Sequence, residues 1–252
     1  MSIVWPYPFW IAHRGAGRAA PENTLAAFRH AAARGWRGFE CDLKLSADGE
    51  LFLLHDDTLD RTTDGHGAAR DRTWDALSRL DAGGWHGPSY AGEPLPRFEA
   101  IARFVQRLGG ALNAEIKPCP GRARETGEAV GAQAARVWRD AAVPPLLSSF
   151  DPPALEGARH TAPHLPRALL LEAWRPGWLD EARALGCVAV VAHHPLWEAA
   201  SIADVHRVGL RALAYTVNAV DELRRLQQAG IDGVITDEVE RFDPRQAPGP
   251  AA

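Results

Sequence analysis

Short apolar runs alternating with helix-like segments constrain this chain more than any other feature. Strand-like runs fall near residues 9–12, 37–43, 111–116, 146–149, 167–171, 188–192, 211–216 and 232–235. Helical patterns fill the gaps. The first is NTLAAFRHAAARG, with Asn23 or Thr24 placed to cap it and an end near Gly35. Strands that alternate with helices pair in parallel, because the chain must cross back before entering the next strand. Eight such units in 252 residues match the size of an α/β fold of the (β/α)8 TIM-barrel type. A doubly wound open sheet is the competing architecture. No GxGxxG follows the first strand, which argues against its dinucleotide-binding form.

One run breaks the alternation. LFLLHD, beginning at Leu51, is separated from the second strand only by the polar SADGE. So short a connection makes a hairpin, and Asp48-Gly49 is a two-residue turn signal. With that turn Ala47 faces Glu50, and counting back sets Asp42 opposite His55, with Cβ atoms roughly 4.5–5.5 Å apart; a bulge would shift the pairing by one residue. The run is therefore a β-hairpin addition to the barrel. Residues 56–93, rich in Gly, Asp and Trp, form a small insertion after the second strand. An insertion of that length is commonly functional, and it is placed to cover part of the barrel mouth. We expect a single catalytic domain over residues 1–242 and a flexible tail over 243–252, DPRQAPGPAA.

Bulk properties narrow the function classes. The net charge is −4 and no Lys/Arg stripe stands out, so nucleic acid is not an expected partner. No run approaches 18 apolar residues, so no membrane span is expected. The opening MSIVWPYPFW lacks the pattern of a secretory signal, and three cysteines (Cys41, Cys119, Cys187) without a CxxC suit a reducing compartment. A cytoplasmic location is the expectation. Of 28 basic residues only Lys44 and Lys117 are lysines.

Ionisable groups gather at the ends of apolar runs: His13 and Arg14 after FWIA, Glu40 and Asp42 in GFECDL, His55 in LFLLHD, Glu115 and Lys117 in LNAEIK. A buried charge is unfavourable unless paired or metal-bound, so several at strand ends suggest one shared site. Strand period sorts them: Glu40 and Asp42 share a face, as do Glu115 and Lys117. In a barrel these faces converge at the C-terminal mouth. Crowded carboxylates call for a divalent cation, and all-oxygen ligands suit Mg²⁺, Ca²⁺ or Mn²⁺ over Zn²⁺. Arg14 and Lys117 could bind phosphate oxygens, and His13 and His55 could divide proton removal and donation. Taken singly, each has a structural alternative, such as a cross-strand ion pair; together they fit metal-assisted attack on a phosphate ester. Phe150 and Tyr215 end strands and could wall the pocket. His193 and His194 either line it or shape a loop, His66 and His86 are expected at the surface, Cys41 to pack against a helix, and Asp237 to cap the segment after the last strand, with a catalytic role as its lesser alternative.

These residues resemble the glycerophosphodiester phosphodiesterases. HRG (His13 to Gly15), PENT (Pro21 to Thr24), ECD (Glu40 to Asp42), LHDDTLDRTTDGHG (Leu54 to Gly67), EIKP (Glu115 to Pro118), SSF (Ser148 to Phe150), YTVN (Tyr215 to Asn218) and DGVITD (Asp232 to Asp237) look like that family's motifs, in order. Three stretches, WPYPFWIAHRG, LDAGGWHGPSYAGEPLP and PPLLSSF, look most like its cytoplasmic bacterial members linked to glycerol-3-phosphate uptake. The resemblance implies a divalent ion, Mg²⁺ first, at Glu40, Asp42 and Glu115. It implies His13 and His55 as acid–base pair, Arg14 and Lys117 near the phosphate, and Glu22 orienting the site. It also implies a route in which the glycerol 2-hydroxyl displaces the head-group alcohol and water then opens the cyclic phosphate, giving sn-glycerol 3-phosphate. Tyr215 stands where many relatives carry Trp. The expected partner is a small glycerophosphodiester. The rivals are a lysophospholipid-directed phosphodiesterase on the same barrel, which needs an apolar tail groove, and a non-catalytic phosphate-ligand binding protein, which has no use for two proton carriers.

Overall fold

The computed structural model describes residues 5–246. Its strands are β1 (Trp10–Ala12), β2 (Gly38–Leu45), β3 (Leu51–Leu53), β4 (Ala111–Ile116), β5 (Leu146–Ser149), β6 (Arg167–Leu171), β7 (Ala189–His193), β8 (Arg211–Tyr215) and β9 (Gly233–Thr236). All but β3 pair in parallel, and a β1–β2 pairing closes the circle. The result is an eight-stranded barrel with one antiparallel strand, β3, added on β2. Around it lie α1 (Leu25–Ala33), α2 (Trp74–Leu77), α3 (Phe98–Arg107), α4 (Ala123–Val137), α5 (Pro152–Thr161), α6 (Trp178–Ala184), α7 (Ala199–Arg207) and α8 (Val220–Ala229). Among the described residues no helix is long and apolar enough to cross a membrane.

Period-2 alternation divides the apolar residues into two cores. Ile11, Leu146, Leu170, Val191, Leu213 and Ile235 point inward and fill the barrel. Their neighbours Trp10, Leu147, Leu169, Val190, Ala212 and Val234 point outward against the helices. Cys41 packs in this outer layer, fully buried, as expected. The inward face of β2 and β4 switches from apolar to carboxylate and amide just where the inner core ends.

The hairpin differs from expectation by one residue. Leu43 pairs with Leu53 and Leu45 with Leu51, so Asp42 faces Leu54, whose N–H donates to its carbonyl at 3.1 Å. The loop has three residues, closed by the Ser46 N–H to the Glu50 carbonyl at 2.9 Å, with Gly49 left-handed at φ +84°. Three-residue hairpins carry a left-handed residue at this place, and the Ser46 hydroxyl secures the turn by donating to Asp48 Oδ1 at 2.7 Å and accepting from the Glu50 N–H at 2.9 Å.

The insertion is not a bare loop. Phe52, Leu54, Leu59, Ala69, Leu77, Ala82 and Leu95 form its own small core. Lys44, buried to 1%, donates to Asp57 at 2.7 Å and ties it to the rim. At the other terminus Trp10 stacks on Phe242 at 4.9 Å and its indole N–H donates to the Gln246 carbonyl, so the first residues of the expected tail lie on the barrel. Residues 247–252 lie outside the described residues.

The turn after β1 presses on the end of β9. Gly17 is left-handed at φ +56°, and a Cβ there would sit 2.1 Å from the Asp237 carbonyl oxygen. Gly17→Ala must therefore displace backbone, and we expect a loss of about 1–3 kcal/mol in stability. Urea denaturation checks this; a wild-type midpoint would show that the close approach is dispensable.

Candidate active site

The C-terminal mouth of the barrel encloses a cavity of about 400 Å³. His13, Arg14, Glu40, His55, Glu115, Lys117, Phe150 and Tyr215 line it, all named from the sequence; Asn113, Leu170, Glu172, Thr216 and Ile235 complete the lining. Asp42 lies just beneath at 1% exposure. Glu22 stands behind Arg14 and accepts from its guanidinium at 2.8 Å.

The acidic cluster follows from strand register. Asp42 and Glu115 are direct neighbours on β2 and β4, and Glu40 lies beside Asn113 one step below. One carboxylate oxygen from each of Glu40, Asp42 and Glu115 falls within 4.8 Å of the others. Two like charges about 4 Å apart repel by about 4 kcal/mol even at an effective dielectric constant of about 20. Protonation absorbs the strain. Burial, then Asp42 and Glu115, push the Glu40 carboxyl well above the usual carboxylate range. Burial and Asp42 push Glu115 up to about 7. Burial opposes ionisation of Asp42 as well, but Arg14 and Lys117 outweigh it and hold Asp42 low. Their contacts are Arg14 Nε–Asp42 at 3.4 Å, Lys117 Nζ–Asp42 at 3.7 Å and Lys117 Nζ–Glu115 at 2.9 Å. Glu40 Oε1 is buried without any hydrogen-bond partner. That orphaned oxygen among all-oxygen donors fits a hard divalent cation.

Both histidines are held the same way. His13 Nδ1 lies 2.6 Å from Asp237 Oδ1, and His55 Nδ1 lies 2.7 Å from Asp56 Oδ1. Burial works against the Asp237 charge, yet the His13 contact and the Asn218 amide hold its carboxyl below the ordinary value. Arg61 does the same for Asp56 against burial, with help from His55. Ionised carboxylates only accept, so each ring donates from Nδ1 and keeps Nε2 for the cavity. Burial depresses the His55 pKa despite the pull of Asp42.

Asp56, Arg61 and Asn218 were not singled out from the sequence, and Asp237 and Asn23 were read first as caps. Asp237 does not cap the following segment: it accepts from His13 and from Asn218 Nδ2 at 2.9 Å. Thr24, not Asn23, caps α1 through the Ala27 N–H. Asn23 adopts φ +59°, donates to Asp42 Oδ2 at 2.8 Å and accepts from the Asp42 N–H at 3.1 Å. A non-glycine residue held left-handed is strained, and such strain clusters at functional sites. Arg61 clamps Glu22 (2.8 Å to each oxygen) and Asp56 (2.7 and 3.0 Å). The adjacency of His55 and Asp56 in HDD was the one available signal. Asn218–Asp237 and Arg61–Glu22 join positions far apart in the chain. His194 pairs with Glu222 at 2.7 Å, and the His193 ring lies tilted beside Tyr215 at 5.8 Å without lining the cavity; both shape the rim. His66 is exposed, and His86 Nε2 donates to the Arg18 carbonyl at 3.1 Å.

Barrel and site together define a (β/α)8 fold whose cavity lies over an acidic cluster at the C-terminal ends of its strands, where barrel enzymes place their active sites. A family model described as the glycerophosphoryl diester phosphodiesterase family matches residues 13–241. A glycerophosphodiester phosphodiesterase of Caldanaerobacter subterraneus is 32% identical over 244 residues, 91% of this chain and 94% of its own. One of Bacillus subtilis is 30% identical over 250 residues, 92% of this chain and 84% of its own. A phosphodiesterase of Oleispira antarctica, solved in complex with the product sn-glycerol-3-phosphate, superimposes with a TM-score of 0.87. It is 33% identical, covering 93% of this chain and 95% of that one. The chain belongs to the glycerophosphoryl diester phosphodiesterase family.

Proton occupancy of the cluster sets an expected outcome. A carboxyl whose folded pKa is raised, as at Glu40 and Glu115, destabilises the ion-free fold as pH rises through that value. A bound cation replaces those protons. A divalent ion should therefore raise Tm more at pH 8 than at pH 5.5. Equal shifts at both pH values, in differential scanning fluorimetry, would contradict proton–metal competition at the cluster.

Proposed function

We propose that the chain is a metal-dependent phosphodiesterase that hydrolyses glycerophosphodiesters to sn-glycerol 3-phosphate and an alcohol. The observation that carries this reading is the buried triad Glu40, Asp42 and Glu115, with Glu40 Oε1 unpartnered, flanked by two histidines that each keep Nε2 toward one cavity. Oxygen-only donors favour Mg²⁺, with Ca²⁺ and Mn²⁺ as alternatives. When bound, the ion supplies Lewis-acid polarisation of a phosphoryl oxygen and offsets developing negative charge. The free and buried cysteines accord with a cytoplasmic setting.

The chain's own residues account for the remaining steps. Arg14 and Lys117 receive the phosphate oxygens that face away from the triad, Arg14 pre-aligned by Glu22. One histidine Nε2 takes the proton of the glycerol 2-hydroxyl as its oxygen bonds to phosphorus. The other Nε2 donates a proton to the departing head-group oxygen as that P–O bond breaks. Roles then exchange: the histidine that lost its proton takes one from water, and the other returns a proton to the 2-oxygen as the cyclic phosphate opens. Asp237 and Asp56 fix the ring tautomers throughout. Phe150 and Tyr215, 5.8 Å apart and edge to face, wall the far side.

General acid–base catalysis is worth about 10²–10⁴ in rate, and we expect His13→Ala and His55→Ala each to lose that much turnover with an unchanged thermal transition. Excess chelator should abolish activity and added Mg²⁺ restore it. The deciding assay identifies products from glycerophosphocholine, with lysophosphatidylcholine as comparison. Release of phosphocholine instead of glycerol 3-phosphate would refute the bond assignment, and a preference for the lysolipid would favour a lipid-directed enzyme.

A further inference from the structure

The cavity is chemically lopsided. The cluster, both histidines, Arg14 and Lys117 come from β1, β2, β4 and the residues after β3. The opposite wall comes from the ends of β5, β6 and β8, as Phe150, Glu172 and Tyr215. Glu172 is exposed to the cavity. Every other carboxylate lining it has a cation or a cluster partner: Lys117 bonds Glu115 at 2.9 Å, and His13 Nε2 lies 3.9 Å from Glu40. Glu172 has no ion pair or side-chain hydrogen bond among the described residues. It adjoins the Tyr215 ring, whose phenol is raised by burial and next by the Glu172 charge. The ring itself is fixed, with its hydroxyl donating to the Leu171 carbonyl at 3.2 Å.

A free carboxylate is an odd lining for a cavity that admits a phosphodiester. It adds repulsion toward an anion and gives nothing back unless the substrate also brings a positive charge. An aromatic face beside a carboxylate is the usual reception for an ammonium group. Phe150 is partly committed, with Lys117 Nζ 5.6 Å from its ring centre, which leaves the exposed Glu172 carboxylate and the half-buried Tyr215 ring, itself packed against Phe150 and His193 at 5.8 Å each, on the cavity side. We propose that Glu172 and Tyr215 form a subsite for a positively charged head-group alcohol, so that ammonium-bearing glycerophosphodiesters are selected over neutral ones. This rests on the phosphodiesterase reading above and adds the substrate class to it.

The test compares kcat/KM for glycerophosphocholine and glycerophosphoethanolamine with that for glycerophosphoglycerol and glycerophosphoinositol, in wild type, Glu172→Gln and Glu172→Lys. Wild type should favour the ammonium-bearing pair. Glu172→Gln should lower their kcat/KM by roughly tenfold, in keeping with the loss of a partly desolvated cation contact, and leave the neutral pair unchanged. Glu172→Lys should reverse the preference. An equal fall for all four diesters would assign Glu172 to the shared glycerol phosphate and overturn the head-group subsite. An unchanged preference in both variants would overturn it too. In those two cases glycerol 3-phosphate still forms and the phosphodiesterase reading stands; no glycerol 3-phosphate from any diester in wild type would remove that reading and the subsite with it.

Discussion

Three carboxylates that share one small buried volume are the constraint to which the rest of the mouth answers. Glu40, Asp42 and Glu115 arrive there by strand register, and register cannot be relaxed without moving the barrel. Their repulsion is offset in three ways. Arg14 and Lys117 hold the Asp42 carboxyl low, burial and mutual repulsion push the Glu40 and Glu115 carboxyls up so that they ionise less readily, and Asn23 supplies both an amide donor and an acceptor to Asp42. A divalent ion held by the three carboxylates would offset the same repulsion from one charge centre. Arg14 also takes a left-handed backbone at φ +50° so that its N–H reaches Glu40 Oε2 at 2.8 Å. The strained turn, the buried asparagine and the choice of cations thus share one electrostatic cause.

Much of this arrangement was legible because period and chemistry reinforced each other. Eight apolar runs separated by helical segments gave the barrel, and period-2 geometry put Glu40 and Asp42 of GFECDL on one inward face and Glu115 of ALNAEI on another. The hairpin was legible as a hairpin but misregistered by one. Asp48-Gly49 promised a two-residue turn, while Ser46, by bonding both Asp48 and Glu50, closes a three-residue one. His55 therefore enters the cavity from the residues beyond β3, steered by Asp56, and not from a position across from Asp42. What the sequence hid were pairings between distant segments. Asp237 looked like a helix cap because nothing local shows that β9 ends beside β1. Asn23 looked like a cap for the equally local reason that it precedes α1.

The two lysines illustrate a signal that was visible but under-read. In a chain with so many arginines, both lysines sit at the β2 and β4 ends. Lys117 serves the acidic cluster. Lys44 is fully buried, donating to Asp57 at 2.7 Å and facing the Lys117 carbonyl at 3.4 Å. An ammonium has three donors on a compact head, whereas a guanidinium presents five in a planar fork. A pocket with so few acceptors would leave arginine donors unsatisfied, and each such group costs about 1–3 kcal/mol. Lysine is kept where the available partners are few.

The insertion shows how a surface segment can govern a buried centre. Its exposed ion pairs are individually weak, because solvent screens them. Arg61 is different in geometry, if not in exposure: it grips Glu22 and Asp56 with paired bonds at both ends of its fork. Glu22 aligns Arg14, the cation beside Asp42, and Asp56 aligns His55. One arginine therefore fixes the relative position of Arg14 and His55, which belong to different parts of the chain. The small apolar core around Leu59 and Leu77 gives that arginine a rigid base. The insertion thus contributes orientation, and through Arg61 it also supplies the charge that holds the Glu22 and Asp56 carboxyls below their ordinary values against burial.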